Sequence, residues 1–445
     1  MNPTPANRTA SLLVLFLIIM GLGGVLLLNP SPEPDLIPTL NPIATALVIP
    51  SEIDLHRTRG DLQVALYYLE SLAMKEGWTA SLHAQAGNLY SDMDDLNQAL
   101  PHWEAALRME VTPNLLRRVA DLYIQRGDWG TAYERVERLL QIIPDDPWGL
   151  YYGGLLLAPS DPAVARVHLS RAATYSEIYI ETAQNVISAI GSDFSDPLIS
   201  SRVGAVLASE QEWSLAENAF QQAAAINYPF PEATAYVGLM LAQQRKIGEN
   251  WIQQAVELAP ENPDVRYVEG LYWRVVGEPL RSIEALLTSI ILAPTVPEFY
   301  AELGNTYRIK GDLSEAEYWL QTALQISGND PTLQEALNRL YTDESFALTP
   351  GELNVSRMAR AQQDDPSVLS ANGYVLHILG DSEAGLAMVE RALEADPENV
   401  RAQFDKARIL FETGQSDEAR SLLIGLAEGD SPFAPTAERL LQGMN

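Results

Sequence analysis

Three adjacent carboxylate pairs, Asp94-Asp95, Asp145-Asp146 and Asp364-Asp365, and five histidines, His56, His83, His102, His168 and His377, are the first residues to weigh for chemistry. Neighbouring carboxylates suit general acid–base work when their surroundings push the two pKa values apart. Histidine adds proton transfer or metal ligation. The pattern argues against both. No histidine lies in HExxH, and no two have the spacing of a metal site. Each carboxylate pair falls at a break between helical stretches, where aspartate caps the next helix and faces solvent. Phosphate-cradling glycine loops and the GxSxG serine elbow are absent. The chain has no cysteine, which removes thiol nucleophiles, disulfides, cysteine-zinc sites and lipid attachment at an N-terminal cysteine. The reading is a chain with no catalytic, cofactor or metal residues.

Other short motifs dissolve in the same way. Arg59-Gly60-Asp61 and Arg126-Gly127-Asp128 spell an adhesion tripeptide, yet each sits where one helical stretch stops and another starts. Asn354-Val355-Ser356 is a glycosylation acceptor only in a eukaryotic secretory pathway. Trp103, Trp129, Trp251, Trp273 and Trp319 recur at helical spacing, which points to packing between helices rather than to a sugar platform.

The elements behind these residues are one unit written many times. Its clearest copy is Tyr300 to Asp330. Tyr300, Leu303, Gly304 and Tyr307 form one helical stripe; Ala316, Leu320, Ala323 and Leu324 form a second. Between them Gly311 supplies a left-handed turn and Asp312 a cap. Gly304 and Ala316 are small where paired helices must cross closely. The Gly-Asp signal returns at Gly60, Gly127 and Gly380, and Gly414 precedes a Gln-Ser cap. Gly277 to Gly311 and Gly380 to Gly414 are each 34 residues apart. Asp146-Pro147, Asp196-Pro197, Asn262-Pro263, Asp330-Pro331 and Asp365-Pro366 pair a capping residue with proline at the first helical position.

Residues 53–445 thereby resemble the tetratricopeptide repeat family. Family-type residues include Ala86-Gly87, Tyr90, Ala99 and Trp103 in one unit, Gly238 with Ala255 and Pro260 in another, and Gly373 with Ala392-Leu393 and Pro397 later. The resemblance implies an all-α, right-handed superhelical solenoid of about eleven helix pairs. In this family the first helix of each pair lines a concave groove that holds peptides. By register that face carries Asn88, Arg117, Asp121, Tyr267, Leu271, Arg274, Asn305, Arg308, Tyr374, His377, Phe404, Arg408 and Phe411. Some members clamp a C-terminal carboxylate with lysines and asparagine; Asn305 fits one such place, but the lysines do not appear. An extended peptide or protein surface, held by apolar and arginine contacts, is the expected ligand.

The regular array is interrupted after Ala173 by about seventeen surplus residues. Glu177 to Ile190 reads as a helix, and the stretch to Asp196 as a loop. The expectation is an N-terminal sub-array over 53–176, an extra helix and hinge over 177–196, a C-terminal sub-array over 197–433, and a capping helix over 434–445. The alternative is that 177–190 prolongs the preceding helix and the stack runs on. A longer turn through Thr349-Pro350-Gly351 marks the ninth unit.

The N-terminus differs. Ser11 to Leu28 is eighteen residues without a charge, a helix of roughly 27 Å against a hydrocarbon core of about 30 Å. No small-x-small cleavage pattern closely follows it, so an uncleaved transmembrane anchor is expected rather than a signal peptide. Arg8 precedes the span and no lysine or arginine follows before Arg57, which places residues 1–10 in the cytoplasm and the rest outside, on a bacterial cell membrane. Six prolines over residues 30–50 make the linker, 29–52, a semi-rigid stalk.

A formal net charge of −30 repels a phosphate backbone and excludes nucleic acid as a partner. The functional expectation is a membrane-anchored protein–protein interaction scaffold that assists assembly of an envelope complex, with other proteins as partners and no cofactor. The alternatives are a non-catalytic accessory subunit of an envelope enzyme or secretion machine, and a solenoid enzyme with an unrecognised site.

Overall fold

A computed structural model of the chain describes residues 49–225, 230–340, 362–429 and 431–444. The expected anchor at 11–28, its tail at 1–10, the linker up to residue 48, the turn at Thr349-Pro350-Gly351 and the Asn354 acceptor all lie outside the described residues. No helix among the described residues is long and apolar enough to cross a membrane. Those residues form 23 α-helices.

Ten helix pairs are present among the described residues. They are α1 and α2 (Ile49–Arg59, Leu62–Glu76), α3 and α4 (Ala80–Asp92, Leu96–Met109), α5 and α6 (Pro113–Arg126, Trp129–Ile142), and α7 and α8 (Pro147–Leu157, Pro162–Tyr175). An additional helix α9 (Ile180–Ile190) follows. Then come α10 and α11 (Ile199–Ser209, Trp213–Ala225), α12 and α13 (Pro231–Gln243, Glu249–Leu258), α14 and α15 (Pro263–Val275, Pro279–Leu292), and α16 and α17 (Pro297–Lys310, Leu313–Ile326). After the single helix α18 (Pro331–Arg339) the chain continues with α19 and α20 (Pro366–Ile378, Ser382–Ala395), α21 and α22 (Val400–Glu412, Ser416–Glu428), and a last helix α23 (Ala434–Gly443). The first helix starts at Ile49, inside the stretch expected to be linker, because Pro50 is tolerated in a first turn whose N–H groups have no helical acceptor.

The punctuation is where the sequence puts it. Gly311 turns at φ +91 and Asp312 accepts the Glu315 amide at 3.4 Å. Asp128 and Asp381 cap in the same way, through Thr131 and Ala384. Asp61 is the exception: its carboxylate makes no cap and instead meets His56 Nδ1 at 3.2 Å. A methyl group at Gly304 would lie 3.0 Å from the Ala316 carbonyl oxygen, so this crossing needs glycine.

The chain divides into two compact units between Leu115 and Leu116. In the first, an apolar cluster runs from Ile53 to Leu89. In the second, one continuous cluster runs from Ala120 to Ala437. The surplus stretch is a separate helix, since α8 ends at Tyr175 and a short 3-10 turn (Glu177–Tyr179) intervenes. Its Ala183, Val186 and Ile190 are fully buried in the same cluster as Leu169 of α8 and Val203 of α10. The core therefore passes through 177–196 without a gap, and the physical reason is that this helix supplies its own apolar stripe to both neighbours.

Candidate functional site

The carboxylate pairs first considered for chemistry act locally. Asp95 accepts the Gln98 amide at 3.2 Å and Asp146 the Gly149 amide at 2.8 Å, each starting a helix. Asp145 binds Arg171 at 2.5 Å, and that hydrogen bond holds its carboxyl below the ordinary range. Asp365 caps α19 through the Ser367 amide at 2.8 Å. Its neighbour Asp364 lines a cavity of about 400 Å³ with Pro294, Asn372 and Arg391.

The groove residues expected from register split into two sets. Tyr267, Leu271, Asn305, Tyr374, Phe404 and Arg408 are buried, at 1–9% exposure. Arg274 belongs with them, since its guanidinium pairs with the fully buried Glu302, to which Asn305 also donates. Tyr267 packs on Phe299 of α16, and for Tyr374, Phe404 and Arg408 the cover is helix α17. Its Tyr318 hydroxyl donates to Asp405 Oδ1 at 2.7 Å, and the Ser370 hydroxyl donates to Oδ2 at 2.6 Å. Arg401 donates to Thr322 at 2.6 Å and to Gln325 at 2.5 Å, and Arg408 donates to Glu315 at 2.7 Å. The Arg408 guanidinium also lies 4.2 Å from the Tyr374 ring centre. Burial pushes the Asp405 carboxyl above its ordinary range, against the pull of Arg401. Glu315, Tyr318, Thr322 and Gln325 fall on one face of α17, and Arg401, Asp405 and Arg408 on one face of α21. That spacing was readable; that the two faces meet was not.

The second set stays accessible. His377 bridges Ser382 at 2.8 Å and Glu412 at 3.0 Å, and Arg308 and Phe411 are half-buried. Asn88 accepts from the Trp103 indole at 3.1 Å. Arg117 pairs with the buried Asp146, and Asp121 accepts from Gln125 at 2.9 Å.

Arg117 and Asp121 open onto a surface that sequence reasoning did not assemble. Beside them stand Trp148, Tyr151 and Tyr152 of α7, Tyr179 of the 3-10 turn, and Glu210 and Glu212 of the α10–α11 turn. Trp148 lies against Tyr152 at 4.7 Å between ring centres, and Tyr151 stacks on Tyr179 at 4.2 Å. Burial, with the charges of Asp121 and Glu210 behind it, raises the Glu212 carboxyl above its ordinary range. Burial pushes the Tyr151 hydroxyl up to about 12. The α5–α6 turn rests on the start of α11 nearby: the Trp129 indole donates to Ser214 at 3.1 Å, and the Ser214 hydroxyl donates to the Ile124 carbonyl. The result is a half-buried, tyrosine-rich face with more carboxylates than cations. The signal available in the sequence was the aromatic run from Trp148 to Tyr152, but only folding brings Glu212 to it.

In the first unit, His83 of α3 and His102 of α4, set aside on spacing, meet with their Nδ1 atoms 3.0 Å apart. Among the described residues there is no group of three or more histidine, cysteine, aspartate or glutamate side chains that could hold a metal ion.

Two protein-family models, each described as a tetratricopeptide repeat, match residues 297–330 and 376–440. Solved structures with similar helical arrays include yeast Tom70, at 13% identity and a TM-score of 0.27, covering 89% of this chain and 95% of that one. A tetratricopeptide repeat protein from Parabacteroides merdae is 15% identical with a TM-score of 0.26, covering 66% of this chain and 97% of that one. A thermophilic protein of the same kind from Thermus thermophilus is 17% identical with a TM-score of 0.25, covering 48% of this chain and all of that one. The assignment rests on the two repeat models, not on these likenesses.

Proposed function

Because the chain is a tetratricopeptide-repeat protein, we propose that it works as a non-catalytic scaffold that binds other proteins, and that its partner is a basic segment held on the face around Tyr152. The observation that carries this is the company of Tyr152. Half-buried aromatic rings provide contact area at low entropic cost, and Asp121, Glu210 and Glu212 stand beside them with partly desolvated charge. A lysine or arginine from a partner would relieve that repulsion and stack on the rings. The net charge of −30 favours the same class of partner over longer range.

The apolar stretch 11–28 anchors the protein in a membrane, with the repeats exported, and the scaffold assists assembly of an envelope complex. Both are part of the proposal, supported by the uncharged eighteen-residue run and the position of Arg8. Protease added to cells, or to spheroplasts where there is an outer membrane, should digest the repeats; full protection in spheroplasts reverses the topology. The binding face is tested by placing a photo-crosslinking residue at Tyr152 and, separately, at the exposed Glu134 of α6 in the full chain. A discrete protein adduct at Tyr152 and none at Glu134 is expected. Equal adducts at both positions, or none at Tyr152, refute it.

A further inference from the structure

The first unit places two imidazoles where a metal ion would place them. Here Nδ1 of His83 lies 3.0 Å from Nδ1 of His102. An ion bound to two imidazole nitrogens at 2.0–2.1 Å holds them about 2.9 Å apart at a right angle and about 3.3 Å apart in a tetrahedron. Without an ion the two nitrogens share a hydrogen bond, and their separation lies between these values. The two histidines come from the two helices of one pair, which fixes their mutual position more firmly than a loop would.

Aromatic neighbours hold both rings in place. Trp78 stacks on His83 with ring centres 4.5 Å apart, and Tyr90 stacks on His102 at 5.5 Å, so both rings are held in plane. Both histidines are half-buried and Trp78 is 36% exposed, so an ion can reach them from solvent. We propose that His83 and His102 form a two-nitrogen site for a divalent first-row transition metal, Cu(II) foremost, with water completing the coordination. Copper is favoured because two neutral imidazoles at a right angle suit tetragonal geometry and because Cu(II) binds nitrogen ligands most tightly in the series. Two protein ligands without a carboxylate make the site exchangeable rather than structural.

The test uses the untagged full chain titrated with Cu(II) at pH 7.5 in a non-coordinating buffer, read by electron paramagnetic resonance and by tryptophan fluorescence. The proposal expects one saturable equivalent with superhyperfine coupling to two nitrogens, and affinity at least tenfold lower in both His83→Gln and His102→Gln but unchanged in His168→Gln. Trp78→Phe should keep the resonance signal and lose part of the quenching. Absence of saturable binding, a nitrogen count other than two, or an affinity in His83→Gln or His102→Gln equal to that of the unaltered chain overturns it. The nitrogen count is read on the unaltered chain, so a variant that fails to fold does not rescue the idea.

Discussion

Residues 53–89 close their core with apolar side chains alone, from Ile53 through Leu69 to Leu89, and bury no polar or charged residue. The stretch from α16 to α21 buries Glu302, Asn305, Thr322, Ser370, Arg401, Asp405 and Arg408 among its aromatics. The first kind of core is satisfied by any neighbour with a matching apolar stripe. The second holds Asp405 only in the arrangement that brings Tyr318 and Ser370 to its two oxygens, because a buried carboxylate without partners is costly. The repeat stripe explains why the helices stack; the Asp405 network explains why α17 and α21 meet in this register.

The largest expected effect follows from that difference. Asp405→Ala removes the acceptor of Tyr318 and Ser370 and the buried carboxylate facing Arg401, while Arg408 keeps Glu315, at a cost of about 3–5 kcal/mol. Amide exchange of α17 and α21 should rise together, while α3 and α4 keep their protection. If only α21 loosens, the network does not join the two helices. Next, Leu69→Ala should cost about 3 kcal/mol and loosen residues 53–89 without touching α17 or α21. Loss of protection in both places would mean the two compact units unfold as one.

The legible part of the fold is the part encoded within a few residues. Gly311 and Asp312 mark a turn by themselves, Gly304 and Ala316 mark a close crossing, and the apolar run of Ile178, Ile180, Val186, Ile187 and Ile190 marks a helix, of which Val186 and Ile190 are buried while Ile178 is exposed. The network was not legible, because Tyr318 and Asp405 are 87 residues apart and their meeting depends on how several units stack. Periodicity placed Phe404 and Arg408 correctly on one face of α21, but it does not say whether a partner or the chain itself covers that face. The acidic tyrosine face was hidden for the same reason: Glu212 reaches Tyr152 only across α9 and α10. His83 and His102 were missed because nineteen residues separate them and they bridge two antiparallel helices rather than one.

Two smaller effects refine the comparison. Gly311→Val puts a β-branched side chain at φ +91, where a Cβ has no neighbour within 4 Å, so the cost is chiefly backbone strain, about 1–2 kcal/mol. It should appear as a lower melting temperature with exchange confined to the α16–α17 turn. The smallest concerns His168, whose Nδ1 is buried without a hydrogen-bond partner and whose pKa burial lowers from 6.5. The native protein then binds fewer protons than the unfolded chain, so this residue's contribution to stability falls as pH drops below about 6.5. Melting temperatures between pH 7.5 and 5.5 should fall less steeply in His168→Leu; an unchanged slope would show that this imidazole does not resist protonation.

Quantitative co-purification from native membranes reaches the central claim, that the protein acts by holding another protein on the face around Tyr152. The unaltered full chain and a variant carrying Asp121→Arg and Glu212→Arg are isolated side by side, with circular dichroism to show equal helix content. The account predicts a stoichiometric protein partner with the unaltered chain, weakened by added salt and absent from the charge-reversed variant. The same partners in equal amount with both chains would contradict it.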